Sequence, residues 1–384
     1  MFSKNSVLAL LVSVVGCVLL YIALEGSILV ALAVLVLALG LMVVGERNGK
    51  VDLVCQSVSD HKRISLTVVS GFILILPFLI SNNYLLHVAV MGGIYSIVTL
   101  GLNFQIGTGM VNFATAAFFG TGAYTSALMA TKFGLSPWLT TILGMVSAAS
   151  LGILFGFPAL KTRGYYLSLI TMSLQVIFTL MIINTSWLGG PNGVPGVPAY
   201  SIGGISLRMP LAIFGLDLPY QANYLYLVFI LLGLTVFAAL CLHNSRTGLA
   251  WNSIEQDEIV AITQGINLTK MKLLAFALGA AFAGLAGGLY GHYTSFIGVE
   301  DFTFSKSLVF ICMVLLGGID NPFGVVLGAL MLTIVDEKLR DFADYRMLMY
   351  SVILIVILLL RPQGLLPKRI RQYQAANKMR ESKA

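Results

Sequence analysis

The residues with chemistry to offer are few, and they are grouped. Three acids, Glu255, Asp257 and Glu258, fall within four residues inside the segment 246–272, the one long polar interruption between apolar runs. A Gly265-Ile266-Asn267 break follows them. A compact, helical, charged segment on an otherwise oily chain reads as a handle for a soluble partner. A second group runs through 101–129, where Asn103, Gln105, Thr108, Asn112, Thr115 and Tyr124 interleave with glycines 101, 107, 109, 120 and 122. Polar side chains at membrane depth cost free energy unless they meet partners or water. Glycine permits close approach and helix breaks, and interrupted helices at mid-membrane line paths. Those residues, with Gln175, are the candidates for a translocation path.

Enzyme chemistry finds little support. His61, His87, His243 and His292 are far apart and lack metal-ligand spacing. No G-x-S-x-G elbow is present. Gly49-Lys50 is followed by Val51 and lacks the upstream glycine of a phosphate loop, so the chain cannot hydrolyse ATP by the usual means. Asp320, in Asp320-Asn321-Pro322, reads as a turn former rather than a proton relay. No catalytic residue and no metal ligand is assigned.

The elements that must position these groups are membrane helices. Hydrophobic residues make up 58% of 384, charged residues 10%, and mean hydropathy is +0.92, whereas a soluble globule carries about 25% charge. The apolar runs are continuous rather than alternating, which excludes a barrel. Spans are expected near 6–24, 27–44, 64–80, 85–103, 109–130, 138–157, 164–183, 222–243, 271–291, 304–317, 322–336 and 346–360. The pair within 304–336 is short enough to be a re-entrant hairpin, so the expected fold is an all-α polytopic bundle of about 10–12 spans. The first span is read as retained, since no small-residue cleavage site is clear. Cys17, Cys55, Cys241 and Cys312 are scattered and read as packing residues.

Lys and Arg counting sets orientation. With the N-terminus in the cytoplasm, inside segments hold 17 of the 23 basic residues, and seven of these sit from Arg361 onward. The other six, Lys132, Arg208, Lys306, Lys338, Arg340 and Arg346, then fall outside or in the outer parts of spans. The polar segment 246–272 faces the cytoplasm, and a Gly/Pro-rich loop, 189–220, caps the outer face. That loop admits short strands or an interfacial helix around 211–214. The organisation is a peripheral N-terminal hairpin (1–45), a cytoplasmic linker (46–63), a transmembrane core (64–360) containing the polar segment 246–270, and a basic tail (361–384) near anionic lipid. Glycine pairs 152/156, 284/288, 287/291 and 324/328 read as helix-packing motifs.

Four blocks carry a family resemblance: GLNFQIGTGMVNFATAAFFGTGAY (101–124), LKTRGYYLSLITM (160–172), RTGLAWNSIEQDEIVAITQGINLTKMKLLAFALGAAFAGLAGGLYG (246–291), and LLGGIDNPFGVVLGA with RPQGLLP (315–329, 361–367). They resemble the longer inner-membrane permease subunit of branched-chain amino acid ABC transporters. Two places depart from the pattern, Trp251-Asn252-Ser253 and Ala114-Thr115. The resemblance implies a subunit that pairs with a second homologous permease, two ATP-binding subunits and an external substrate-binding protein. It implies that ATP-Mg is bound by the partners, with no cofactor in this chain. It further implies that a short helix including Glu255, Asp257 and Glu258 seats in the ATPase, with Gly265 and Asn267 turning the chain back. The lack of charge in spans 85–130 points to a neutral or zwitterionic cargo, such as branched-chain or other hydrophobic amino acids. Urea or short amides fit the same architecture, and an ion-coupled secondary transporter is the contrasting class. Nucleic-acid binding is not expected.

Overall fold

A helix of 27 residues, Leu268–Thr294, organises the structure. At 1.5 Å per residue it is about 40 Å long, enough to cross a bilayer. The computed structural model describes residues 4–26, 62–80, 82–159, 165–213, 216–319 and 321–339, with scattered positions between 30 and 40 and between 345 and 365. The expected span 27–44, the linker 46–63, Asp320, the span 346–360 and the basic tail lie largely or wholly outside those residues.

In chain order the helices are α1 (Lys4–Glu25), α2 (Lys62–Leu79), α3 (Asn83–Ile106), α4 (Thr115–Phe133), α5 (Pro137–Ala159) and α6 (Tyr165–Asn184). They continue with α7 (Tyr220–His243), α8 (Arg246–Gln256), α9 (Glu258–Thr263), α10 (Leu268–Thr294), α11 (Phe304–Gly317) and α12 (Pro322–Lys338). The fold is an all-α membrane bundle. Five of the described helices are both long and apolar enough to cross: α3, α5, α6, α7 and α10.

Helices α3, α4 and α5 pack directly on α10. Lipid tails are as apolar as leucine, so close van der Waals contact, rather than exclusion of water, holds such helices together. Glycines supply that closeness. A Cβ on Gly101 would lie 2.8 Å from the Phe282 Cβ and 3.2 Å from the Gly279 Cα. One on Gly144 would meet the Gly122 carbonyl oxygen at 2.6 Å, and Gly122 in turn abuts Gly284. Thus α4, α5 and α10 share one glycine-lined crossing. Each expected packing pair occupies such a contact: Gly152 faces Ala280, Gly156 faces Phe276, Gly288 faces Thr141 and Gly328 faces Met313.

The cap expected over 189–220 is built from three two-stranded ladders. β1 (Val194–Pro195) pairs antiparallel with β6 (Phe296–Ile297), β2 (Ser201–Ile202) with β3 (Ile205–Ser206), and β4 (Leu211–Ile213) with β5 (Leu216–Leu218). The chain around 211–213 is therefore strand rather than interfacial helix; the Leu211–Leu218 ladder satisfies its backbone. Helices α11 and α12 form an antiparallel hairpin, with Gly317 against Gly324 and Gly328 against Met313.

Candidate functional site

The expected span 109–130 does not begin at 109. Helix α3 ends at Ile106, α4 begins at Thr115, and residues 107–114 between them are not helical. The Gln105 amide Nε2 donates to the Phe276 carbonyl at 3.3 Å. Phe276 lies about 12 Å along α10 from its start, at 1.5 Å per residue. A 30 Å hydrocarbon core centred on a 40 Å helix begins about 5 Å from each end. A core so centred would place the break about 7 Å inside it, where backbone groups need partners.

Side chains from four elements supply them. Asn112 Oδ1 accepts from the Ala114 N–H at 2.8 Å, Ser307 Oγ from Ala116 at 2.9 Å, and Gln175 Oε1 from Ala117 at 2.7 Å. These close the first turn of α4, where the Ala117 N–H is shared with the Ala114 carbonyl at 3.0 Å. Thr171 Oγ1 accepts from the Phe113 N–H at 3.1 Å. Asn112 Nδ2 donates to Gln105 Oε1 at 2.8 Å, and Gln175 Nε2 donates to the Phe302 carbonyl at 2.6 Å. Thr115 Oγ1 donates to the Asn112 carbonyl at 3.2 Å.

Five of the expected path residues, Asn103, Gln105, Asn112, Thr115 and Gln175, are thus gathered around one break, and all are buried. Gln105, Asn112, Thr115 and Gln175 direct polar atoms at backbone or at one another. Tyr124 is also buried but lies higher, edge-on to Phe302 at 5.7 Å. Its hydroxyl has no hydrogen-bond partner among the described residues. Sequence reasoning missed Thr171 and Ser307, because their role depends on α6 and α11 lying beside the break. A Gln175→Leu substitution should lower stability by about 1–3 kcal/mol, the cost of a stranded buried donor or acceptor. Thermal unfolding of the purified protein in detergent measures it.

Residues 295–303 enter the bundle before α11 starts: Phe302 packs on Phe119 at 5.3 Å and Phe304 on Phe113 at 5.9 Å. The Lys306 ammonium lies 3.7 Å from Asp336 Oδ2 and 4.4 Å from the Tyr95 ring centre. A carboxylate and an aromatic face are the partners that a lysine within a membrane bundle needs.

The polar segment also differs from expectation. Glu255, Asp257 and Glu258 do not share one helix. Asp257 is extended (φ −159°, ψ 116°), so α8 stops at Gln256 and α9 starts at Glu258. The physical cause is a cap: Asp257 Oδ1 accepts from the Ile259 and Val260 N–H groups at 2.7 and 3.2 Å. Glu258 is paired with Lys272 at 2.6 Å. Gly265 takes φ +79°, a left-handed turn that suits glycine, and Asn267 caps α10 by accepting from the Lys270 N–H at 3.0 Å. Beside Glu258 and Thr263, α9 exposes three large apolar side chains: Ile259 is 74% exposed, Val260 54% and Ile262 57%. The segment is anchored by Trp251, whose Nε1 donates to the Met271 carbonyl at 2.9 Å and whose ring lies 5.6 Å from Phe104.

At the opposite end His292 ties the cap to the bundle. Its Nδ1 lies 2.6 Å from the Pro198 carbonyl, and only the ring nitrogen can donate there, so Nδ1 carries the proton. Nε2 then accepts from Ser126 Oγ at 2.8 Å or Thr140 Oγ1 at 3.0 Å. One helix, α10, therefore connects the polar segment to the cap.

Residues 84–360 match the family model described as branched-chain amino acid transport system / permease component. The high-affinity branched-chain amino acid transport system permease protein LivM of Salmonella typhimurium is 37% identical over 306 residues, covering 76% of this chain and 72% of its own. The protein of the same name from Escherichia coli is 35% identical over 315 residues, covering 78% and 74%. The permease protein LivH of Salmonella typhimurium is 25% identical over 292 residues, covering 72% and 92%. No solved structure matches the chain.

Proposed function

Because the chain belongs to the family of permease components of branched-chain amino acid transport systems, we propose that it is one membrane half of an ATP-driven importer of branched-chain and related neutral amino acids. It pairs with a second permease of similar fold in the inner membrane, with both termini in the cytoplasm. Two ATPase subunits bind ATP-Mg and engage the segment 246–270, and an external binding protein delivers cargo to the cap. The chain itself is a transport component and not a catalyst.

The observation that carries this reading is the α8–α9 segment. It presents an apolar tip on a polar, locally braced stem, and its Trp251 touches both the base of α10 and Phe104 in the last turn of α3. Movement of this segment by closing ATPases has a direct route to the break at 107–114. It would rock the helices around 101–130 and 164–180 and switch the path from outward to inward facing. Asn103, Gln105, Asn112, Thr115, Tyr124 and Gln175 then act behind the wall of that path, and Gln105, Asn112, Thr115 and Gln175 hold its broken backbone in shape.

The test is to reconstitute the co-purified complex and measure which solute, delivered by its binding protein, stimulates ATP turnover. Leucine, isoleucine and valine are expected to do so. Stimulation by urea or short amides but by no amino acid would overturn the cargo assignment. Uphill transport by this chain alone in vesicles would overturn the ATP-driven one.

A further inference from the structure

The break leaves part of its backbone on the surface. Gly109 and Val111 are exposed, whereas Met110, Asn112 and Ala114 are buried. Val111 is 38% exposed, and among the described residues its carbonyl receives only a long hydrogen bond, 3.4 Å, from Ser168 Oγ. The Val111 and Asn112 N–H groups have no hydrogen-bond partner among the described residues. An irregular backbone of this kind does not face acyl chains within the hydrocarbon core; it persists where protein or a water-filled cavity covers it.

Helix α6 continues that surface. Ser168 touches Val111, and Met172, four residues on, lies on the same flank and is 41% exposed. Ile177 lies nine residues from Ser168, which at 100° per residue is the opposite face of the helix. It is exposed too, but on regular helix with satisfied backbone, as a lipid-facing position should be.

We infer that the patch made by Gly109, Val111, Ser168 and Met172 borders the water-filled translocation path, closed over by the second permease subunit, and does not face lipid. The inference rests on the permease reading above and assigns its path to a particular face. The Val111 N–H, beside the aliphatic Val111 and Met172 side chains, suits a cargo that carries a carboxylate next to an apolar side chain. The N-terminus of α4, by contrast, is buried, and Asn112, Ser307 and Gln175 already take up the Ala114, Ala116 and Ala117 N–H groups.

Cysteine labelling of the assembled transporter in membranes tests this. Cys17, Cys55, Cys241 and Cys312 are first replaced by alanine, and single Val111→Cys, Met172→Cys and Ile177→Cys proteins are then treated with a charged, water-borne thiosulfonate. The thiolate is the reactive form and an apolar setting suppresses it, so Val111→Cys and Met172→Cys are expected to react at least about tenfold faster than Ile177→Cys. Met172→Cys changes only a surface side chain, so the test survives if Val111→Cys fails to fold. Equal, slow reaction at Met172 and Ile177 overturns the assignment. Uptake by the cysteine-free parent is measured alongside. An active parent with unreactive Met172→Cys sinks the face alone, whereas a parent that transports no amino acid sinks the permease reading.

Discussion

A Gly287→Val protein should fail to accumulate in the membrane, while Gly233→Ala, changed at a site with no atom within 4 Å of the added carbon, should accumulate normally. The added Cβ at Gly287 would strike the Phe119 carbonyl oxygen and lie 2.8 Å from the Ala123 nitrogen and 3.0 Å from the Phe119 carbonyl carbon. These are backbone atoms of α4, so no side-chain rotation relieves the clash and the two helices must part. Overpacking typically costs about 1–3 kcal/mol where side chains can adjust. Separating α4 from α10 would also open the Gly122–Gly284–Gly144 crossing, so the loss should exceed about 3 kcal/mol, a large share of a typical 5–15 kcal/mol stability. Membrane abundance and detergent-solution melting measure it. Normal folding of Gly287→Val would show that α4 and α10 do not cross here.

The second large effect concerns the tip of α9. An Ile259→Asp, Ile262→Asp protein should reach the membrane in normal amount yet lose co-purification with its ATPases, and amino acid uptake should fall at least about thirtyfold. Both side chains are more than half exposed and touch little of their own chain, so folding is spared. If they insert into an ATPase groove, each carboxylate would be desolvated there, and loss of an interface anchor costs about 2 kcal/mol or more. Reversing Glu255 and Glu258 to lysine should do less to docking. Glu258 already answers Lys272 within the chain, so its loss is first a local one. Asp257→Ala should weaken α9 itself by about 1 kcal/mol through the lost cap. Unchanged ATPase association in the isoleucine double variant, with a clear defect in the charge-reversed one, would return the contact to the acids.

Much of the architecture was legible without coordinates, because long apolar runs have few structural options in a bilayer. The bounds expected for α5, α6, α7 and α10 differ from those found by at most three residues. The glycine motifs also read correctly, since a residue without a side chain has one obvious use between two helices. Positions failed where local pattern and tertiary demand diverge. The run from 109 to 130 is as apolar as a helix requires, yet helix starts only at Thr115, where Asn112, Gln175 and Ser307 converge to cap it. Nothing in the spacing of residues 112, 175 and 307 announces that meeting.

From the amino-acid order alone came the class of molecule, the approximate course of its helices and the existence of one polar segment unlike the rest. Those properties follow from composition and periodicity, which act over short stretches of chain. Three-dimensional packing decided what the polar groups do. It turned Asp257 into a cap and Glu258 into half of an ion pair, leaving isoleucines at the tip. It also drew the amides of the broken helix inward, so that Gly109 and Val111, rather than those side chains, reach the surface. The physical reason is the same in each case. A polar atom held away from water takes whichever partner the fold brings within reach, and that partner comes from a distant part of the sequence.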